Sequence, residues 1–153
     1  MALLDEIVKY RGLIMKSLCT DDTIIKNMDA DKGTSLPYKK VFPYLFKPLT
    51  TTDSDTFITF QLQSNIIDKT IKELELTFYV FADERLLRTK DGLRTDILAQ
   101  RIDRIFNGYD VIGLGKMDLV SIDNLDMSNS TYHGLKLTYS VVDLNRPTMN
   151  RGW

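Results

Sequence analysis

The stretch from residue 70 to 108 constrains the fold more than any other, because it sets a period of two directly beside a helical period. Over residues 71–82, Leu74, Leu76, Phe78 and Val80 fall on one side and Glu73, Glu75, Thr77 and Tyr79 on the other. That alternation predicts a strand with one dry face. Over residues 93–106 the apolar positions become Leu93, Ile97, Leu98, Ile102, Ile105 and Phe106, with Arg94, Asp96, Gln100, Arg101, Asp103 and Arg104 facing outward. This stripe predicts an amphipathic helix lying across the sheet. Asp91 stands where a cap would start the helix, and Asn107-Gly108 supplies a left-handed stop.

The remaining elements fall around this pair. Leu3, Leu4, Ile7, Val8, Ile14, Met15 and Leu18 recur at helical spacing, which predicts a helix over about 3–18, weakened slightly by Gly12. Thr20-Asp21-Asp22 offers caps for a short second helix through Ile24, Ile25 and Met28. Residues 56–62 alternate as a strand and turn at 64–69 into the next, forming an antiparallel hairpin. Residues 111–114 and 117–122 read as one or two short strands about a bend at Gly113 and Gly115, and 123–130 as a polar turn. Leu135, Leu137, Tyr139 and Val141 mark a last strand. The expected fold is α+β: a largely antiparallel sheet of four to five strands packed by a main helix and an N-terminal helix. It forms one domain over 1–144, followed by an arm over 145–153.

Residues 33–55 differ in character. Pro37, Pro43 and Pro48 interrupt an aromatic run that includes Tyr38, Phe42, Tyr44 and Phe46. Proline opposes regular ladder pairing here, and so many aromatics exclude a solvated linker. The segment is expected to pack along its own domain or against another molecule, with Tyr38, Phe42, Tyr44 and Phe46 as contact residues. The arm offers Arg146, Arg151 and the large apolar surface of Trp153 to a partner.

Chemistry finds little purchase. Lysine plus arginine number 20 against 21 acids among 153 residues, so no long-range field draws the chain to nucleic acid or an anionic membrane. The best local basic patch, Tyr38-Lys39-Lys40 with Phe42, is thin. The cations Arg85, Arg88, Lys90, Arg94, Arg101 and Arg104 are interspersed with acids. One cysteine, Cys19, and one histidine, His133, cannot complete a zinc set. Asp29–Gly33 imitates a calcium loop, but its glycine falls one step early and Lys40 replaces the closing glutamate. Asp21-Asp22 and Asp83-Glu84 read as caps or solvated turns rather than paired catalytic acids. Cys19 reads as a small core residue. The start, MALLDEIV, carries acids where an export signal carries cations, and no apolar run approaches the roughly 20 residues of a membrane span.

Taken in order, the N-terminal helix, VFPYLFKP, TFITFQL, ELELTFYVF, RTDILAQRIDRIFNG, GLGKMDLVS and LKLTYSVVD resemble the tail terminators and head-to-tail joining proteins of tailed bacteriophages, over most of residues 1–145. The resemblance implies a structural virion protein without enzymatic activity or cofactor. It implies a self-assembled ring, commonly of six copies, that terminates the tail tube and meets a head connector or neck adaptor. It implies no membrane, and genomic DNA passing through without specific binding. The protein would be made in the host cytoplasm and reside in the virion neck. Two other classes stay open: an adaptor contacting portal and DNA, marked by steeply salt-dependent DNA affinity, and an enzyme, marked by a compact monomer with a deep pocket.

Overall fold

The structure, a computed structural model, describes residues 3–28, 36–45, 55–110, 112–113, 115–125 and 130–144, with side chains from Glu6 onward. In chain order the elements are α1 (Leu3–Cys19), α2 (Asp22–Asn27), β1 (Val41–Phe42), β2 (Thr56–Ile66), β3 (Ile71–Asp83), α3 (Glu84–Leu87), β4 (Arg88–Thr89), β5 (Gly92–Leu93), α4 (Arg94–Phe106), β6 (Asp118–Leu125) and β7 (Tyr132–Leu144). Five strands form one sheet in the order β1-β2-β3-β7-β6. Only β1 runs parallel to its neighbour. The expected α+β class and mainly antiparallel sheet are what the chain adopts.

All three longer helical segments lie on one face. Register sets Ile58, Phe60 and Leu62 of β2 beside Val80, Phe78 and Leu76 of β3, and these beside Leu135, Leu137 and Tyr139 of β7. Above them pack Tyr10, Ile14 and Leu18 of α1, Ile24 of α2, and Leu98, Ile102 and Phe106 of α4. Phe78 sits at the centre, its ring 4.8 Å from Phe106, 5.9 Å from Tyr139 and 6.0 Å from Phe60. Each such fully buried apolar side chain contributes about 1.5–3 kcal/mol.

Several local expectations are corrected. β1 pairs Val41 with Ile58 and Phe42 with Thr59, so proline limits the ladder to two residues without abolishing it. β2 runs on to Ile66, past the expected end at Leu62, because Gln63 and Asn65 continue opposite Glu75 and Glu73 on the polar face. β6 reaches Leu125 through what read as a turn, and Ile112-Gly113 belongs to no strand. Gly113 and Gly115 bend the chain with φ of 72° and 87°, as expected.

The helix α4 starts differently from its expected cap. Asp91 lies in the turn of the β4–β5 ribbon, where its N–H donates to Thr89 Oγ1 at 3.2 Å. Leu93, 42% exposed, takes the cap position without a side-chain bond and leaves the apolar stripe. The stop at Asn107-Gly108 is as expected, with Gly108 at φ 87°.

The second face of the sheet is not simply wet. Phe42, Phe57, Phe81 and Tyr132 form a buried aromatic cluster there, with Phe57 and Phe81 centroids 5.5 Å apart. Thr77, expected to be solvated, is 6% exposed.

Candidate interaction surface

Helix α1 carries two apolar faces. Tyr10, Ile14 and Leu18 enter the core, while Val8, Gly12, Met15 and Cys19, again at helical spacing, line an open groove of about 660 Å³. The opposite bank is Pro37, Tyr38, Pro43 and Tyr44, with Arg11 and Lys16 at the rim. Val8, Tyr38 and Tyr44 are 73%, 62% and 50% exposed. Exposed aromatic and aliphatic groups gathered in one concavity have the composition of surfaces that contact other molecules, which makes this groove the candidate site.

The aromatic bank is shaped by a tight turn. The Leu36 carbonyl accepts from the N–H groups of Lys39, Lys40 and Val41 at 3.2, 2.9 and 3.0 Å. Closing that turn puts Tyr38 at φ 60°, a region that a bulky side chain rarely adopts. Lys40 anchors the segment by donating to the Met28 carbonyl at 2.6 Å and pairing with Asp55 at 3.1 Å. The rings of Tyr38 and Tyr44 stand 6.5 Å apart at the mouth.

Of the contact residues expected from sequence, Tyr38 and Tyr44 are thus brought together at the surface. Phe42 is not available: it is 5% exposed and packs on Phe57 at 6.3 Å, inside the chain's own aromatic cluster. Phe46, Arg146, Arg151 and Trp153 lie outside the described residues, as does the calcium-like run 29–33. The α1 bank escaped the sequence reading, because one apolar stripe and two adjacent ones look alike in a short helix. Gly12 carried the available signal. A glycine in mid-helix costs about 1 kcal/mol relative to alanine, and a Cβ built there meets nothing within 4 Å.

A buried ionic cluster holds α1 to the sheet and also went unread. Lys72, 1% exposed, lies 3.1 Å from Glu6 Oε2 and 3.6 Å from Asp143 Oδ2. The Tyr10 hydroxyl donates to Asp143 Oδ2 at 3.4 Å, and burial raises its pKa above the ordinary phenol value.

Most other polar groups read for chemistry serve structure. Asp21 caps α2 through the Ile24 N–H and pairs with Arg101 at 2.8 Å. Asp83 caps α3 and accepts from Arg85 and Thr131. Asp103, expected to face outward, accepts from the buried Tyr139 hydroxyl at 2.9 Å, and Arg94 donates to the carbonyls of Leu86 and Asn27. Cys19 is buried, and desolvation pushes its thiol up to about 11, so little thiolate forms at neutral pH. His133 is exposed on β7, and no group of three or more metal-ligating side chains occurs among the described residues. No described helix is long and apolar enough to cross a membrane.

A comparison with curated proteins finds no match. A family model, YomW, matches residues 13–141, a span that runs from within α1 through the sheet and α4 to the end of the β7 core. The chain therefore belongs to the YomW family, a Bacillus phage-type (SPβ/prophage) protein family.

Proposed function

We propose that this protein is a structural component of the virion at the head-tail junction, where a ring of its copies, six by the resemblance, terminates the tail tube and joins it to the connector. The groove between α1 and the Tyr38–Tyr44 bank carries this reading. A chain of phage origin that leaves aromatic surface open beside a well-packed core is built to be completed by another protein. A second apolar exposure at the end of the β2–β3 hairpin, with Ile66 57% and Ile67 61% exposed, supports an axial contact with the tail tube or connector. No cofactor is required for such a role. The cations Arg94 and Arg101 are spent inside the fold, in keeping with DNA that passes without specific binding.

The test is native mass measurement of the purified protein and imaging for rings, together with labelling of particles. A ring in solution or label at the neck supports the assignment. A monomer in solution and no label on finished particles would refute it. One observation favours the adaptor reading: Arg11 and Lys16, which line the groove, are exposed, as are Lys9 and Lys39, each next in sequence to a lining residue. That reading requires DNA affinity that falls steeply between low and physiological salt.

A further inference from the structure

We infer that the contact between copies is heterologous, with the β6 edge of one copy seated in the α1–Tyr44 groove of the next. This rests on the ring reading above. β1 and β6 are the two edge strands of the sheet, and Pro37, Tyr38, Pro43 and Tyr44 flank β1. The groove and the β6 edge therefore lie at opposite edges of one sheet. A contact between unlike surfaces on opposite sides passes from copy to copy and closes into a ring when the rotation allows, whereas a self-complementary patch stops at a dimer.

Charge selects the unlike pairing. Arg11 and Lys16 rim the groove, are exposed, and have no ion pair among the described residues. β6 carries Asp118 and Asp123, also exposed and also without an ion pair among the described residues, although Asp123 stands directly across from Lys136 of β7 and Lys116 precedes the strand. Groove against groove sets cations against cations, and edge against edge sets carboxylates against carboxylates. Only groove against edge is complementary.

Shape agrees. Val120, 62% exposed, is the extra residue of a bulge between Leu119, opposite Tyr139, and Ser121, opposite Thr138. It is turned out of the ladder, and Ile122 beside it is 56% exposed. An edge strand that shows two β-branched side chains invites a partner. The groove offers Val8, Met15 and Tyr44 to them, and the absence of a side chain at Gly12 leaves room for one to enter.

The experiment reverses charge on each surface of the full chain: Arg11→Glu with Lys16→Glu for the groove, Asp118→Lys with Asp123→Lys for the edge. Assembly is read by native mass measurement at matched concentration. Each pair alone should weaken association at least tenfold, and equimolar mixing should restore it, because every reversed surface then meets its complement and the two variants alternate. The chain with all four substitutions should also regain assembly, which keeps the test decisive if one pair melts early. Parental assembly by either pair alone, or no recovery in both the mixture and the fourfold variant, overturns the pairing and leaves the ring standing. Absence of a wild-type ring both in solution and on particles overturns the ring itself.

Discussion

Tyr38 holds a left-handed backbone, φ 60°, in an exposed position where no core packing rewards it. Such a conformation costs an L-residue about 1–2 kcal/mol, so its retention points to use of the ring at the groove mouth. Tyr38→Gly relieves the strain, offset in part by the greater freedom of glycine in the unfolded chain. Its melting temperature should hold or rise while association between copies weakens about tenfold or more. A fall in both would show that Tyr38 serves only its own fold. Sequence pattern gave no hint of this residue's backbone, because the strain comes from three N–H groups converging on the Leu36 carbonyl, a closure decided by where β1 pairs.

At the scale of elements, α1 is a two-sided connector, tied to the sheet beneath it and open to the groove above. The tie is ionic as well as apolar. Removing Lys72 would leave Asp143, 4% exposed, as a buried carboxylate facing Glu6 without a cation. Lys72→Ala should therefore cost about 3–5 kcal/mol in denaturant unfolding; a loss below 1 kcal/mol, set against that range, would mean that water replaces the lysine there. What was legible in sequence follows the same division. α4 and the first half of β3 were readable because there one face is buried and local period follows burial, whereas the burial of Thr77 and Phe81 on the other face of β3 had no such signal. The caps at Asp21 and Asn107-Gly108 were readable because their partners lie within a turn. Lys72 was not, because it stands on the dry side of β3 and its carboxylate arrives from 66 residues upstream. β1 was not either, since its two residues gain strand character only from Ile58 and Thr59. In the candidate site, Tyr38 and Tyr44 were visible as aromatics among prolines, whereas Phe42 shares their composition but alternates inward with the strand it joins.

Across the whole molecule, three carboxylates are held below the ordinary pKa and respond to acid: Asp21, Asp83 and Asp68, the last by hydrogen bonds from the Thr70 N–H and hydroxyl and the Ile71 N–H. Burial pushes Asp21 up, but hydrogen bonds from Arg101 and the Ile24 N–H outweigh it and hold its pKa below the ordinary value. Hydrogen bonding from Arg85 does the same for Asp83. A carboxyl with a lowered folded pKa contributes fully above its unfolded value, about 3.9, and loses that contribution as pH falls through the folded one. Stability should thus drop below about pH 4. Asp21→Asn, which keeps a capping oxygen but loses the charge, should be about 1.5–3 kcal/mol less stable near neutrality and converge on the parent in acid; a gap that persists at pH 2, below the carboxylate range, would assign the loss to packing. The ladder carries one further consequence, a mechanical one. β3 is hydrogen-bonded along its length to β2 on one side and β7 on the other. Tension applied along the strands shears all those rungs together, while a pull from edge to edge loads the strand pairs in series and yields first where the ladder is shortest, at the two paired residues of β1 and β2. The subunit is therefore stiff in one direction and yielding in the perpendicular one, like a plank with a grain.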